Sequence, residues 1–210
     1  MANPDYQCNL QTTFMDTARK SFISAEQLLQ DAFELAIMIA ESGFKPDLIA
    51  GIWRGGTPVG IAVQEALEFL DIRSDHISIR TSSYTSIGER SNVRVHGLEY
   101  LERNLSSEDR LLLVDDVFDT GLSMEQVLME LDQIYGQNGP QVKIATTWFK
   151  PANNQTRRKP DYFLHTTDRW LVFPHEILGI SDMELLNLKP GLGEIAPRLL
   201  SLRDRMLSKE

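Results

Sequence analysis

Two adjacent carboxylates, Asp115 and Asp116, directly follow an apolar run over 111–114 that is typical of a buried strand. Unpaired charges inside a protein core are very costly, so we expect this pair at the edge of a sheet. Ribose hydroxyls donate hydrogen bonds to carboxylates, and Mg²⁺ takes oxygen ligands, so both are suitable partners. The acidic pair is therefore predicted to bind a sugar, a magnesium ion or both.

A turn that carries hydroxyl groups follows the acidic pair and leads into a predicted helix over 122–135. The free N–H groups and the positive dipole at a helix N-terminus suit a phosphate monoester. A surface Asp cluster before an ordinary helix cap is the alternative, but capping does not explain the acidic pair. One continuous segment is predicted to bind a sugar and its phosphate, and its turn consists of Asp119, Thr120, Gly121, Leu122 and Ser123.

Two basic side chains follow other predicted strands. Arg54 precedes Gly55 and Gly56, which let a backbone approach a ligand closely, and its planar guanidinium group suits pyrophosphate. Lys150 follows a strand over 141–148 and precedes a proline, which ends the strand. The alternatives are an ordinary turn at the glycines and a solvated lysine at the strand end.

Short apolar strands alternate with amphipathic helices along the chain, which predicts an α/β fold with a parallel sheet flanked by helices on both faces. In such sheets ligands lie beyond the carboxyl ends of the strands, so polar groups that are distant in sequence meet at one edge. Residues 81–96 are rich in Ser, Thr and Arg and have no clear period, so we expect a flexible loop there. The predicted helices cover 24–42, 57–70, 122–135 and 190–207, and the predicted strands cover 47–53, 76–80, 111–114, 141–148, 162–166 and 170–173.

The 210 residues include 21 Lys and Arg and 30 Asp and Glu, which gives a net charge of −9 and suits one globular domain. Cys8 is the only cysteine, which excludes disulfide scaffolds and multi-cysteine zinc sites and fits a reducing cytosol. We find no apolar run near the roughly 18 residues of a membrane span and no secretory signal pattern. The acidic balance argues against a general nucleic-acid binder.

We expect a cytoplasmic protein with neither a membrane nor nucleic acid as partner. We expect a single Rossmann-like domain over 1–210, with a core over about 45–150, a hood over about 151–180 and terminal helices over about 24–42 and 193–207.

Residues 114–121, Val-Asp-Asp-Val-Phe-Asp-Thr-Gly, resemble the phosphoribosyl pyrophosphate (PRPP) signature of the type I phosphoribosyltransferases. The chain has neither a Walker loop nor a dinucleotide-binding glycine fingerprint. The resemblance implies that PRPP is bound by Asp115, Asp116 and the turn over 119–123, with Mg²⁺ as cofactor at Asp115 and Asp116. It implies that Asp119 is the catalytic base toward N7 of the substrate base. It further implies PRPP contacts from a pyrophosphate loop and from a lid, which consist of Arg54, Gly55 and Gly56 and of Ser83 and Tyr84.

Two later segments resemble the 6-oxopurine members of that family, the xanthine-guanine and hypoxanthine phosphoribosyltransferases. Phe-Lys-Pro at 149–151 resembles the site of a lysine that donates to O6 of the base, which implies this role for Lys150. Asp-Arg-Trp-Leu-Val-Phe-Pro at 168–174 resembles the hood of the family. The resemblance implies that Trp170 stacks on the purine and that the backbone carbonyl of Leu171 reads its edge.

Glu176 matches an acidic residue that, in this subgroup, helps to hold the metal or the 2-substituent of the base. His175 departs from the pattern, because xanthine-guanine relatives usually carry Trp there. Phe118 is bulkier than the residue that is usual at its position. The departure at His175 concerns the preference of the hood among bases.

The implied activity is purine salvage, in which the phosphoribosyl group of PRPP is transferred to hypoxanthine, guanine or xanthine. The products are the nucleoside 5′-monophosphate and pyrophosphate. Three alternatives stay open: a pyrimidine or orotate transferase, a PRPP-sensing regulatory protein that binds RNA without catalysis, and a purely structural dimer subunit. We expect a homodimer or homotetramer, with the apolar terminal helices as the interface.

Overall fold

Strands and helices alternate along the described residues, 20–84 and 92–208, of the computed structural model. They form two compact units, one from residues up to 28 together with those from 169 onward, and one from residues 29–168. The strands are β1 (Lys20–Phe22), β2 (Leu48–Trp53), β3 (Asp75–Tyr84), β4 (Asn92–His96), β5 (Arg110–Phe118), β6 (Gln141–Phe149), β7 (Tyr162–Thr166) and β8 (Trp170–Val172). The helices are α1 (Ala25–Glu41), α2 (Gly56–Phe69), α3 (Leu98–Asn104), α4 (Leu122–Tyr135), α5 (Asp182–Asn187) and α6 (Ile195–Leu207), with a 3₁₀ turn at Gly136–Asn138.

The larger unit, residues 29–168, contains a six-stranded sheet in the order β4-β3-β2-β5-β6-β7. Every neighbouring pair is parallel except β3 and β4, which run antiparallel. Strands β2 and β5 are neighbours in the middle of the sheet, so the turns that follow them leave it side by side. The predicted α/β fold with a mostly parallel sheet is confirmed.

Alternate residues of the central strands face different layers, as the pleat of a strand requires. Leu48 and Ala50 of β2 pack in a core that also contains buried residues of α3 and α4. Ile49 lies between them, is also buried, and is outside that core. Helix α2 contacts β2 and β5, and its Val59 is fully buried. The sheet is therefore covered by helices, as predicted, and its carboxyl edge carries the polar turns.

The prediction of a flexible loop over 81–96 is wrong for both ends of that segment. Strand β3 extends to Tyr84, and β4 pairs with it so that Arg80 lies opposite His96. Ser83 is in β3, opposite Val93. Strand β4 is at the edge of the sheet and needs no continuous apolar pattern, which explains why the sequence does not reveal it. Residues 85–91 of the predicted lid lie outside the described residues.

Two short helices are absent from the sequence prediction. Helix α3 has only 7 residues, of which Leu98 and Leu101 are buried, too few to set up a clear period. Helix α5 has 6 residues and begins with a capping box between Ser181 and Glu184, a signal that the sequence does carry. The last helix begins at Ile195 rather than at residue 190.

The smaller unit contains a two-stranded parallel sheet of β1 and β8, in which Lys20 lies opposite Trp170. The Lys20 ammonium group donates to Glu184 at 3.0 Å, and both side chains are buried. The Lys189 ammonium group donates to the carbonyl oxygen of Phe173. These contacts connect the strands of the smaller unit to its helical segment. The predicted single domain over 1–210 stays a prediction.

None of the helices within residues 20–84 and 92–208 is long and apolar enough to cross a membrane.

Candidate active site

The acidic pair lies within the last four residues of β5, and Asp116 is only 7% exposed. The prediction that the strand ends before the pair is wrong, because β5 continues to Phe118, which is buried in the core. The Asp116 N–H donates to Oδ1 of Asp115 at 3.0 Å, so the first carboxyl bonds the backbone of the second residue. The Thr147 hydroxyl, on the neighbouring strand β6, donates to the carbonyl oxygen of Asp116 at 2.7 Å. The backbone of the pair is thus held from within the sheet.

The two neighbouring carboxyl groups influence each other electrostatically. Burial raises the pKa of Asp115 well above its usual range, and the negative charge of Asp116 raises it further. The N–H groups of Asp116 and Gly56 donate to the Asp115 carboxyl and lower its pKa in part. A ligand that brings hydroxyl donors or a cation would stabilise the ionised form. Carboxyl groups with such a raised pKa are typical of functional sites.

The glycine turn after β2 lies directly against the end of β5. A Cβ atom built on Gly55 would overlap the carboxyl group of Asp116, and one built on Gly56 would overlap the carbonyl oxygen of Val114. The Trp53–Arg54 peptide bond is cis. Arg54 is exposed at the same turn. The two glycines are therefore required for close contact between the predicted pyrophosphate loop and the acidic pair.

Gly121 begins helix α4 in the left-handed region, with φ 79° and ψ −10°. A Cβ atom here would approach the Phe118 ring and the Thr156 hydroxyl within 2.8 Å. Both this overlap and the positive φ therefore exclude a side chain at the position. The Thr120 hydroxyl accepts a weak hydrogen bond from the Leu122 N–H at 3.4 Å. Gly121, the N-cap residue, makes no side-chain hydrogen bond to this helix. Its first N–H groups therefore remain suited to a phosphate.

The carboxylate of Asp119 accepts hydrogen bonds from two side chains of the loop after β6. The Lys150 ammonium group donates to Oδ2 at 2.9 Å, and the Asn153 amide donates to Oδ1 at 2.8 Å. Lys150 is buried, whereas the Asp119 side chain is 41% exposed. The pair therefore presents an acceptor and a donor side by side at the carboxyl edge.

The oxygen donors of the site are suited to Mg²⁺ that is shared with a substrate. Within residues 20–84 and 92–208, no three or more His, Cys, Asp or Glu side chains are grouped closely enough to hold a metal ion. Magnesium usually binds one or two carboxylates and completes its coordination with substrate oxygens and water. Asp115 and Asp116 fit that arrangement.

The predicted hood residues belong to the smaller unit. Trp170 is 55% exposed, and the Lys20 ammonium group lies 5.6 Å from the centre of its ring. Leu171 is buried in β8. Oε2 of Glu176 accepts a hydrogen bond from the Phe173 N–H at 3.1 Å. This carboxyl oxygen is therefore already engaged with the backbone of its own unit. The roles of Trp170, Leu171 and Glu176 stay predictions.

The larger unit brings together most of the predicted site residues. The acidic pair, the glycine turn, the start of α4 and Lys150 all lie at the carboxyl ends of β2, β5 and β6. Asn153 and Thr147 were not predicted, although both contact members of this group. For Asn153 a signal existed: Lys-Pro-Ala-Asn is a turn pattern that returns its fourth residue toward the first.

The fold and this arrangement define an α/β protein with an acidic site beside a helix N-terminus at the carboxyl edge of a mostly parallel sheet. The chain matches the phosphoribosyl transferase domain family over residues 20–177 and belongs to that family. The predicted family membership is thereby confirmed.

The chain is similar to several proteins of this family. It is 29% identical over 184 residues to a hypoxanthine-guanine phosphoribosyltransferase of Lactococcus lactis. The aligned residues cover 86% of this chain and 92% of the relative. The crystal structure of a purine phosphoribosyltransferase from Pyrococcus horikoshii matches with a TM-score of 0.61 and 29% identity, over 78% of this chain and 98% of that one. A xanthine-guanine-hypoxanthine phosphoribosyltransferase from Helicobacter pylori shares the fold, with a TM-score of 0.59 and 22% identity over 73% of this chain and 92% of that one.

Proposed function

We propose that the protein transfers the phosphoribosyl group of PRPP to a 6-oxopurine, giving a purine nucleoside 5′-monophosphate and pyrophosphate. One observation carries this proposal: the ion pair between Lys150 and Asp119, 2.9 Å apart, lies beside the start of α4. The names of the similar proteins, which are purine phosphoribosyltransferases, support the same substrate class.

The PRPP half of the proposed site is the edge formed by β2 and β5. The ribose hydroxyls would donate to the carboxyl oxygens of Asp115 and Asp116 and would stabilise the ionised form of Asp115, whose pKa is raised. The 5′-phosphate would accept from the first N–H groups of α4 and from the hydroxyls of Thr120 and Ser123. Pyrophosphate would lie at the glycine turn, which leaves its backbone close to the acidic pair. Ser83 and Tyr84 stay proposed lid contacts.

The Lys150–Asp119 pair matches the edge of a 6-oxopurine. Such a base carries the O6 acceptor next to N7, so Lys150 would donate to O6 while Asp119 accepts the proton on N7. A 6-aminopurine presents a donor in place of O6, which would face the ammonium group of Lys150 donor to donor. The pair therefore favours hypoxanthine, guanine and xanthine over adenine. In the hood, Trp170 would stack on the base, and Leu171 would offer its carbonyl.

The proposed reaction inverts the configuration at C1 of the sugar. N9 of the base bonds to C1 as the bond from C1 to pyrophosphate breaks, and the N7 proton passes to Asp119. The sugar carries positive charge in the transition state, and the carboxylates at the end of β5 stabilise it. Bound Mg²⁺, held by Asp115 and Asp116, would neutralise charge on the leaving pyrophosphate.

A panel of bases tests this function. The protein is incubated with PRPP, Mg²⁺ and one of hypoxanthine, guanine, xanthine, adenine, uracil or orotate, and pyrophosphate release is measured. We expect release with at least one 6-oxopurine and little with adenine, uracil or orotate. Release with orotate or uracil alone would contradict the proposed base, and no release with any base would contradict the enzyme.

We further propose that the protein forms a homodimer or homotetramer in which α6 contributes to an interface. Leu199, Leu202 and Met206 of this helix are exposed, although they form its apolar side. Exposed apolar residues that share one helix face are typical of association surfaces. Sedimentation of the wild type and of Leu202→Lys tests this proposal, with a smaller assembly expected for the variant.

A further inference from the structure

The loop after β6 begins with a tight turn that starts at Lys150. The Asn153 N–H donates to the carbonyl oxygen of Lys150 at 3.1 Å, which closes the turn. Pro151 occupies the second position, where its fixed φ favours such turns. The turn places the side chains of its first and fourth residues within reach of the same group, the carboxylate of Asp119.

The same loop also bonds the backbone on both sides of Asp119. The Lys150 N–H donates to the carbonyl oxygen of Phe118 at 2.9 Å, and the Gln155 N–H donates to that of Thr120 at 2.9 Å. Four hydrogen bonds thus connect a six-residue stretch, 150–155, to three consecutive residues, 118–120. The position of Asp119 depends on this loop more than on packing, because its side chain is 41% exposed.

Each donor binds a different oxygen of the carboxylate, Lys150 at Oδ2 and Asn153 at Oδ1. The terminal torsion of an Asp side chain has a broad energy minimum, so one donor alone leaves the plane of the carboxylate variable. Two donors on different oxygens fix that plane. Proton transfer requires the acceptor to lie within about 0.5 Å and 10–20° of its productive position.

We propose that Asn153 is a positioning residue that holds the Asp119 carboxylate in the plane required to accept the proton of the base. This inference rests on the proposed function. Asn153 is neutral, so it orients the carboxylate without competing with Lys150 for charge. It also leaves the ammonium group of Lys150 with N–H donors for the base. The side chain of Asn153 acts through Asp119 and need not touch the substrate.

The neighbouring residue provides a matched control. The amide of Asn154 donates to the carbonyl oxygen of Arg158, and its side-chain oxygen accepts from the N–H and hydroxyl of Thr156. Asn154 therefore stabilises the loop itself, whereas Asn153 contacts Asp119. Replacing each by alanine separates the positioning of the carboxylate from general damage to the loop.

The test measures kcat, KM for the base and the Kd for PRPP in the full chain, with the 6-oxopurine that gives the fastest release. For Asn153→Ala we expect kcat to fall about tenfold, as for loss of one hydrogen bond to a charged group, with the Kd for PRPP within about twofold of the wild type. Asn154→Ala is expected to keep kcat within about twofold. Asn153→Asp is expected to lower kcat more than Asn153→Ala does, because it places a second carboxylate against Asp119.

Three results would overturn the inference in an active wild type. The first is an unchanged kcat for Asn153→Ala. The second is a loss of PRPP affinity as large as the loss of kcat. The third is an equal loss of kcat in Asn154→Ala. A wild type without turnover on any base would instead contradict the proposed function, so the two failures are distinguishable.

Discussion

Replacement of Gly55 by alanine isolates the contact between the glycine turn and the acidic pair. Gly55 has φ −66° and ψ −33°, a conformation that any L-residue adopts, so the backbone itself tolerates the change. The added Cβ would overlap the carboxyl group of Asp116, which is buried. Overpacking of this kind costs about 1–3 kcal/mol. In a chain of 210 residues, a loss of about 2 kcal/mol lowers Tm by about 4–8 °C.

The assay is a double-mutant cycle on the free energy of unfolding, measured by denaturant titration of the wild type, Gly55→Ala, Asp116→Ala and the double variant. We expect the double variant to recover most of the loss caused by Gly55→Ala, because the group that the new methyl meets is gone. Gly60→Ala is the control: it lies in α2, and its Cβ would make only ordinary contacts, 3.6 Å or longer. It should be neutral or stabilising by up to about 1 kcal/mol.

Additive free energies in the cycle would refute this reasoning, because they would mean that the new methyl group does not meet Asp116. Full stability of Gly55→Ala would refute it equally. PRPP binding, measured by calorimetry, is expected to weaken in both single variants, since the Asp116 carboxyl is displaced in one and missing in the other.

Three further predictions concern single carboxyl groups. Asp119→Asn should lower kcat by roughly 10²- to 10⁴-fold, because an amide cannot accept the proton, while calorimetry should find PRPP binding little changed; equal losses of both would make Asp119 a positioning residue. Asp115→Asn should stabilise the fold by about 1–2 kcal/mol at neutral pH while PRPP binding is lost. Burial raises the pKa of Asp115, so ionisation of this group lowers the stability of the wild type as pH rises above the usual value of 3.8. The gain in unfolding free energy of Asp115→Asn should therefore vanish below that pH. Arg110 donates to both oxygens of Asp47 and lowers the pKa of that carboxyl. The ion pair therefore stabilises the fold above pH 3.8, and this contribution is lost as pH falls through the lowered pKa. Asp47→Asn should therefore lower the free energy of unfolding by about 0.5–1 kcal/mol at pH 7, a small value because the pair is partly exposed. An equal loss at pH 2 would show that the ion pair is not the cause.

The central strands and the acidic pair could be predicted from the sequence because burial leaves a direct pattern. Residues 111–114 of β5 are all buried, and such a continuous apolar run is typical of a parallel strand that is covered on both faces. Asp115 and Asp116 follow this run directly, which indicates that they lie close to the edge of the sheet. The same reasoning located Lys150, which follows β6 at the same edge.

The pairing of β3 with β4 and the role of Asn153 depend on contacts that are distant in sequence. Arg80 and His96 are opposite each other although a segment of Ser, Thr and Arg separates them, and an edge strand can carry such residues freely. Asn153 meets Asp119 across 34 positions of the chain, and only the parallel arrangement of β5 and β6 brings them together. The raised pKa of Asp115 likewise depends on the burial of its carboxyl group in the folded chain, which no local pattern reveals.

The turn that starts at Lys150 has a consequence for evolution. Surface loops usually accept insertions and deletions, because few groups depend on their length. Here the cation and the amide that meet the two oxygens of Asp119 are separated by only Pro151 and Ala152. One inserted residue would move the amide away from its oxygen, so related chains that preserve this chemistry should preserve the spacing, or replace the amide by a donor from another segment.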